Sequence, residues 1–268
     1  MLCRMDVQKR IEQSKQTGIL DISCLNIESL QQLPSTLIEL RCKNNRLTTL
    51  PTLPESLTHL DCTNNRLIAL PNIPKNLMHL NCAENYLKVL PTLPESLTYL
   101  DCIRNQLTIL PTLPSNLTQL YCSINRLTMI PILPLRLEWL LCCDNLLRTL
   151  PPLPYKLQCL NCQNNKLTCL PLLNSTLEYI WAEQNPFLAT YKNPLKSGKT
   201  VQQIREFQIS ILKQKACSRD VLALCQTLYR RKNRKVCEDC LNIIGSYLSG
   251  GTGTLSTQLK ELQGQICG

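Results

Sequence analysis

The sequence has few aromatic residues, only 4% of its 268 positions, and no long run of apolar side chains. A membrane-spanning helix needs about 18 or more consecutive apolar residues, so no such helix is predicted. Residues 1–10 include Arg4, Lys9 and Arg10 and no apolar stretch, so no secretory signal peptide is expected. With 17 cysteines and no such signal, the chain is expected to carry free thiols in a reducing compartment.

Leucine dominates the apolar residues because it recurs with a period of 20 residues. The unit is L-x-x-L-x-C-x-x-N-x-L-x-x-L-P-x-L-P-x-x, with seven or eight consecutive copies. Its asparagines are Asn45, Asn65, Asn85, Asn105, Asn125, Asn145, Asn165 and Asn185. Its cysteines are Cys42, Cys62, Cys82, Cys102, Cys122, Cys142 and Cys162. This period predicts a solenoid in which each unit is one coil.

Each unit contains the pattern of one short strand. Leu40 and Cys42 alternate with polar neighbours, as in a strand with one buried face. Nine such strands are expected to form a parallel sheet. The asparagine is expected to turn its amide onto backbone groups that the bend after the strand leaves unpaired. Paired prolines such as Pro51 and Pro54 predict an extended return path without a helix.

The start of the chain departs from the repeated unit, as solenoid caps do. Residues 1–17 are predicted to form an N-terminal capping helix, with Val7 and Ile11 facing inward and Gly18 ending it. The array of nine rungs is assigned to residues 18–189.

The repeated unit resembles the shortest class of leucine-rich repeat. It is similar to the repeats of type-III-secreted bacterial effectors, some of which are fused to a novel E3 ubiquitin ligase domain. The variant with cysteine, L-x-C-x-x-N-x-L, also resembles repeat proteins of giant DNA viruses and of various bacteria. The resemblance implies a parallel β-sheet horseshoe with an extended convex side, and protein binding as the general function. The many cysteines without a secretory signal favour a cytoplasmic location, and an injected effector in the host-cell cytoplasm would look the same; the nucleus is a further option.

Two columns of residues flank the buried leucines and are predicted to face solvent on the concave side of the sheet. One column holds Glu39, His59, His79, Tyr99, Gln119, Trp139, Cys159 and Tyr179. The other holds Arg41, Asp61, Asn81, Asp101, Tyr121, Leu141, Asn161 and Trp181. Large aromatics on a rigid sheet are typical interface anchors. The predicted partner-binding residues are Tyr99, Tyr121, Trp139, Leu141 and His79. For Tyr179 and Trp181, packing against the C-terminal unit is the favoured interpretation.

The ladder cysteines are expected to act as small buried hydrophobic residues, reduced and unreactive. Their spacing across the sheet is longer than a relaxed disulfide needs. His59 and His79 are neighbours in one column, but no carboxylate or thiol is expected to converge with them. No metal site is therefore predicted at this pair, and no cofactor is expected.

Charge is distributed unevenly along the chain. Residues 18–185 carry 12 basic and 12 acidic residues, whereas residues 186–268 carry 13 basic and 5 acidic. The densest run, from Arg230 to Lys235, is interpreted as a solvated helix connection. A nuclear-import signal or a phosphate-binding patch is the alternative. No aromatic residues interleave this run, so nucleic-acid binding is not expected.

The residues after the array are predicted to form a basic helical unit at 190–248, then a Gly-rich linker and terminal helix at 249–268. Cys237-Glu238-Asp239 resembles the C-x-D loop of effector-type ubiquitin ligases, in which the cysteine accepts ubiquitin as a thioester. Only 29 residues follow Asp239, whereas the ligase family carries a much larger helical domain. A structural zinc also stays open, with the ligands Cys217, Cys225, Cys237 and Cys240.

We therefore predict a monomeric leucine-rich-repeat solenoid that binds a protein partner on its concave face and is not an enzyme. The alternative, from a different class, is a divergent or truncated effector-type E3 ubiquitin ligase that uses Cys237. The two hypotheses differ in whether Cys237 is exposed beside a groove or packed in a helical hairpin.

Overall fold

The computed structural model describes residues 2–171, 173–174 and 176–186, with side chains from residue 6 onward. Within this part of the chain a helix, α1 (Leu2–Thr17), precedes nine strands of three residues each. The strands are β1 (Ile19–Asp21), β2 (Glu39–Arg41), β3 (His59–Asp61), β4 (His79–Asn81), β5 (Tyr99–Asp101), β6 (Gln119–Tyr121), β7 (Trp139–Leu141), β8 (Cys159–Asn161) and β9 (Tyr179–Trp181). The predictions for 190–248 and 249–268, including the basic run, the zinc cysteines and Cys237, lie outside the described residues.

All nine strands belong to one parallel sheet whose order follows the chain from β1 to β9. Each strand pairs with its equivalent 20 residues further on, so that Leu40 lies beside Leu60 and Leu60 beside Leu80. Between strands the chain returns through an extended segment with a two-residue turn, as at residues 55–56. The predicted nine rungs and the extended return path are therefore confirmed.

The middle residue of each strand and the ladder cysteine form the core of the solenoid. Leu40 and its equivalents through Leu160 are at most 1% exposed, and Cys42 through Cys162 are fully buried. A single coil cannot cover this apolar face, so stacking between coils supplies the hydrophobic stabilisation. The expectation that the ladder cysteines are small buried hydrophobic residues is confirmed.

A ladder of asparagines closes the bend after each strand. The amide nitrogen of Asn85 donates to the carbonyls of Cys62, Cys82 and Ala83, and its oxygen accepts from the Leu67 N–H at 2.9 Å. The equivalent asparagines from residue 45 to residue 185 make the same kinds of contact with two successive coils. Each amide thus satisfies backbone groups that the bend leaves unpaired, as predicted.

The residue before each ladder asparagine has a left-handed backbone. The φ angles at these positions, from Asn44 to Gln184, lie between 48° and 57°. Asparagine tolerates this conformation, and Asn44, Asn64 and Asn164 occupy three of the positions. Ile124 occupies another at φ 55°, where a β-branched side chain is strained.

Helix α1 covers the first coil, which confirms the predicted cap. Ile11 is 6% exposed, Val7 packs against the same core, and the Ser14 hydroxyl donates to the Ile11 carbonyl at 2.7 Å. Gly18 ends the helix at φ 71°, and its N–H donates to the Ser14 carbonyl at 2.8 Å. A Cβ atom at Gly18 would lie 3.1 Å from the side chain of Ile38, a tight approach that Ile38 would have to relieve by a small shift.

Candidate functional site

The sheet surface that faces away from the core, here called the concave face, carries the first and third residue of each strand. In β4 to β7 these residues are half-buried on either side of a fully buried leucine. Because every strand pairs in register with the next, equivalent residues lie beside one another in two columns. The predicted columns are therefore present, held on rigid strands.

Four rings run continuously across the middle of the concave face. The His59 and His79 rings stack with centroids 5.7 Å apart, and His79 stacks on Tyr99 at 3.9 Å with an angle of 5° between the planes. Tyr99 then meets Tyr121 edge to face at 5.4 Å. This last contact crosses from one column to the other, because Tyr121 is the third residue of its strand whereas Tyr99 is the first.

The neighbouring strand extends this surface. Leu141 pairs with Tyr121, and Trp139 pairs with Gln119, whose side-chain oxygen accepts from the Tyr121 hydroxyl at 2.8 Å. Trp139 and Leu141 are both half-buried, and within the described residues no ring contact joins Trp139 to the tyrosines. The five predicted partner-binding residues thus occupy adjacent strands. Together they are called the aromatic patch: His79, Tyr99, Tyr121, Trp139 and Leu141.

The prediction that Cys159 faces solvent is wrong, because its side chain is only 1% exposed. Cys159 lies in register between Trp139 and Tyr179, which are both much larger, and it interacts electrostatically with Tyr121. The small thiol thus lies on a strand between these larger residues, and burial raises its pKa. Position in a column therefore does not by itself decide exposure.

Asp61 and Asp101 are the only charged residues in the two columns from β3 to β9. Oδ1 of Asp101 accepts from the Ile103 N–H at 3.0 Å, and Oδ1 of Asp61 accepts from the Thr63 N–H at 3.1 Å. Within the described residues neither carboxylate is in an ion pair. Burial raises the pKa of Asp101 above its usual value, although the bond from Ile103 opposes this.

The other titratable groups of the aromatic patch favour their neutral forms. Burial raises the pKa of Tyr99 and of Tyr121, and the nearby Asp101 carboxylate raises both further. Burial lowers the pKa of His79, and the adjacent His59 lowers it further. Asp101 therefore lies beside two neutral phenols in a partly desolvated environment.

Tyr179 and Trp181 form a separate pair on the last described strand. Their rings stack with centroids 6.1 Å apart, and the side chains are 52% and 40% exposed. Their predicted packing against a C-terminal unit concerns residues outside the described part of the chain. They are therefore kept apart from the aromatic patch.

The ladder thiols are poor nucleophiles. Burial raises the pKa of Cys62, Cys82, Cys102 and Cys122 well above the usual value. In the part of the chain that the structure describes, no group of three or more His, Cys, Asp or Glu side chains is arranged to hold a metal ion. No helix in that part is long and apolar enough to cross a membrane.

Sequence reasoning missed a polar groove of about 430 Å³ beside the first bends of the ladder. Its lining includes Cys24, Asn44, Arg46, Arg66 and Tyr86, which come from successive coils. These residues are about 20 apart in sequence, so comparing the bend positions column by column would have placed them side by side. The two concave aspartates were likewise not singled out, although each is a charged residue in a nearly uncharged column.

Comparison with solved structures agrees with this architecture. YopM, described as a leucine-rich effector protein from Yersinia pestis, is 32% identical to this chain with a TM-score of 0.53. That match covers 68% of this chain and 65% of YopM. The LRR domain of a Shigella effector is 27% identical with a TM-score of 0.56, covering 70% of this chain and 80% of that domain. This chain is therefore a leucine-rich-repeat solenoid, and its structural neighbours include bacterial effector proteins.

A further match shows the fold alone. The leucine-rich repeat domain of APL1B is 20% identical with a TM-score of 0.54, covering 66% of this chain and 58% of that one. This chain spans slightly less than two thirds of the YopM chain. No protein-family profile and no curated protein sequence matches it significantly. The comparisons give no support to the ubiquitin-ligase alternative.

Proposed function

We propose that this chain is a protein-interaction module and that the aromatic patch on its concave face anchors a protein partner. The observation that carries the proposal is the continuous contact of His79, Tyr99 and Tyr121 across neighbouring strands. Aromatic side chains of this kind dominate the binding energy of many protein interfaces.

The structure supports tight binding because the patch is already ordered. Its residues lie on strands that pair in register and are closed by the asparagine ladder. Ring stacking and the Tyr121–Gln119 hydrogen bond restrict the side chains further. Little conformational entropy remains to be lost on association, so contact energy is retained as affinity.

Removing two anchors tests this proposal. The full chain carrying Tyr121→Ala and Trp139→Ala is compared with wild type in affinity capture from a candidate host lysate. Truncating one central aromatic should weaken binding by about 2 kcal/mol or more, so the double variant should lose its captured partner. Both side chains point away from the leucine core, so thermal unfolding should change little.

A matched control removes two tyrosines that lie off the concave face. Tyr86 follows a bend and Tyr155 lies in a return segment, and they are 51% and 36% exposed. Tyr86→Ala with Tyr155→Ala should keep the captured partner. Equal capture by both double variants and wild type would remove the concave-face proposal. Unfolding of Tyr121→Ala with Trp139→Ala would show that these residues belong to the core.

A further inference from the structure

The third residue of several strands caps the backbone that follows it. Asn81 and Asn161 each accept a hydrogen bond from the N–H two residues later, at 3.1 and 3.2 Å. Asp101 makes the same contact with Ile103 at 3.0 Å. The fold therefore needs only an acceptor oxygen at this position, and a neutral amide supplies it in two other coils. The negative charge of Asp101 strengthens this bond but is not required for the cap.

Keeping a charge at Asp101 works against folding. The carboxylate is partly desolvated, and it sits in the same column as the like-charged Asp61. No lysine or arginine of the described residues is in an ion pair with it. The half-buried charge of Asp101 is not needed for the backbone contact and has no ion-pair partner among the described residues. We therefore expect its counter-charge to come from outside this part of the chain.

The surroundings of Asp101 suit one kind of cation. Tyr121 pairs with Asp101 in register, and Tyr99 lies two residues before it on the same strand. Their rings meet edge to face at 5.4 Å beside the carboxylate. A guanidinium group binds a carboxylate through two N–H donors and also stacks on aromatic faces. An arginine side chain would use both parts of this arrangement.

From β3 onward the concave face carries charge of one sign. From β3 to β9 the two columns contain two aspartates but no lysine or arginine. Arg41 on β2 pairs with Glu39 on the same strand, and other basic residues of the array lie elsewhere, for example at Arg46 and Arg66 beside the bends. A partner segment that follows this face would meet carboxylates and rings, which favours a basic segment by charge complementarity.

We propose that the concave face binds a basic segment of a protein partner, with one arginine of that segment lying against Tyr99 and Tyr121 and pairing with Asp101. The proposal rests on the proposed function, because it names the chemistry of the partner that the aromatic patch anchors. It commits the face to an arginine-bearing polypeptide.

The probe is a fluorescent peptide in which arginine alternates with glycine, titrated with the full chain and followed by anisotropy. A second peptide has glutamine in place of every arginine. Wild type should bind the arginine peptide, more weakly as salt is raised, and should not bind the glutamine peptide. Asp101→Asn should weaken arginine-peptide binding about tenfold or more, because a charge-assisted pair is lost.

Asp101→Asn is a conservative change here, since asparagine makes the same backbone contact at two equivalent positions. Its thermal unfolding should not be lowered at neutral pH, because a partly desolvated charge is removed. The matched control is Glu55→Gln, an exposed carboxylate in a return segment, which should leave peptide binding unchanged. If Asp101→Asn and Glu55→Gln weaken peptide binding equally, binding depends on the net charge of the protein and not on Asp101. That result would overturn the proposal.

If the wild-type protein does not bind the arginine peptide, the proposal is overturned. This holds whatever the reason for the lack of binding. Partner capture separates this failure from that of the proposed function. If Tyr121→Ala with Trp139→Ala loses the partner while Asp101→Asn retains it, concave-face binding stands and the basic partner is wrong. If all these variants retain the partner, the proposed function itself fails.

Discussion

Replacing Asn85 by alanine tests whether the hydrogen bonds of the asparagine ladder stabilise the solenoid. The Asn85 oxygen accepts from the buried N–H of Leu67 at 2.9 Å, and its nitrogen donates to the carbonyls of Cys62, Cys82 and Ala83. All these groups lie between stacked coils, where exchange with water is restricted. The change removes every one of these bonds at once.

The loss of stability in Asn85→Ala depends on which backbone groups keep another hydrogen-bond partner. The Cys62 carbonyl also accepts from Asn65, the Cys82 carbonyl from Asn105, and the Ala83 carbonyl from the Asn64 N–H. Only the Leu67 N–H loses its one identified acceptor. An orphaned buried donor costs about 1–3 kcal/mol, and the three carbonyls keep other partners, so Asn85→Ala should lower the free energy of unfolding by about 2–3 kcal/mol.

Urea unfolding measures this change, and hydrogen exchange of the Leu67 amide reports on the site itself. The matched control is Asn72→Ala, an exposed asparagine in a return segment, which should cost less than about 0.5 kcal/mol. A cost below about 1 kcal/mol for Asn85→Ala, with Leu67 still protected from exchange, would refute the reasoning. Water entering the vacated space would then be replacing the amide.

Three further changes follow from the same structure. Ile124→Asn should raise the free energy of unfolding by about 1 kcal/mol in thermal melts, because asparagine tolerates φ 55° better than a β-branched residue; a lower midpoint would contradict this. Thiol reagents should spare the native ladder residues Cys62, Cys82, Cys102 and Cys122 while modifying the exposed Cys24, and rapid ladder labelling would mean that the assigned strand register is wrong. Because burial lowers the pKa of folded His79, the unfolded chain binds a proton more readily. Stability should therefore fall as pH drops below about 6.5, and His79→Gln should remove that part of the urea-monitored dependence; an unchanged dependence in His79→Gln would contradict this.

The sequence by itself determines the solenoid. The 20-residue period places equivalent residues beside one another, so the buried leucines, the cysteine core and the asparagine bends all follow from one unit. Gly18 as the end of the capping helix is equally local, because a left-handed residue at a helix end favours glycine. In a repeat fold each coil contacts mainly its neighbours, so the local pattern and the global contacts carry the same information.

Only the tertiary structure decides what the concave side chains do with one another. It turns Tyr99 towards Tyr121 across two columns, buries Cys159, and leaves Asp101 beside two phenols with no ion-pair partner among the described residues. These outcomes depend on side-chain rotamers and on the sizes of neighbours on adjacent strands. The period fixes where each Cβ atom lies, whereas packing among non-identical side chains sets contact, burial and charge environment.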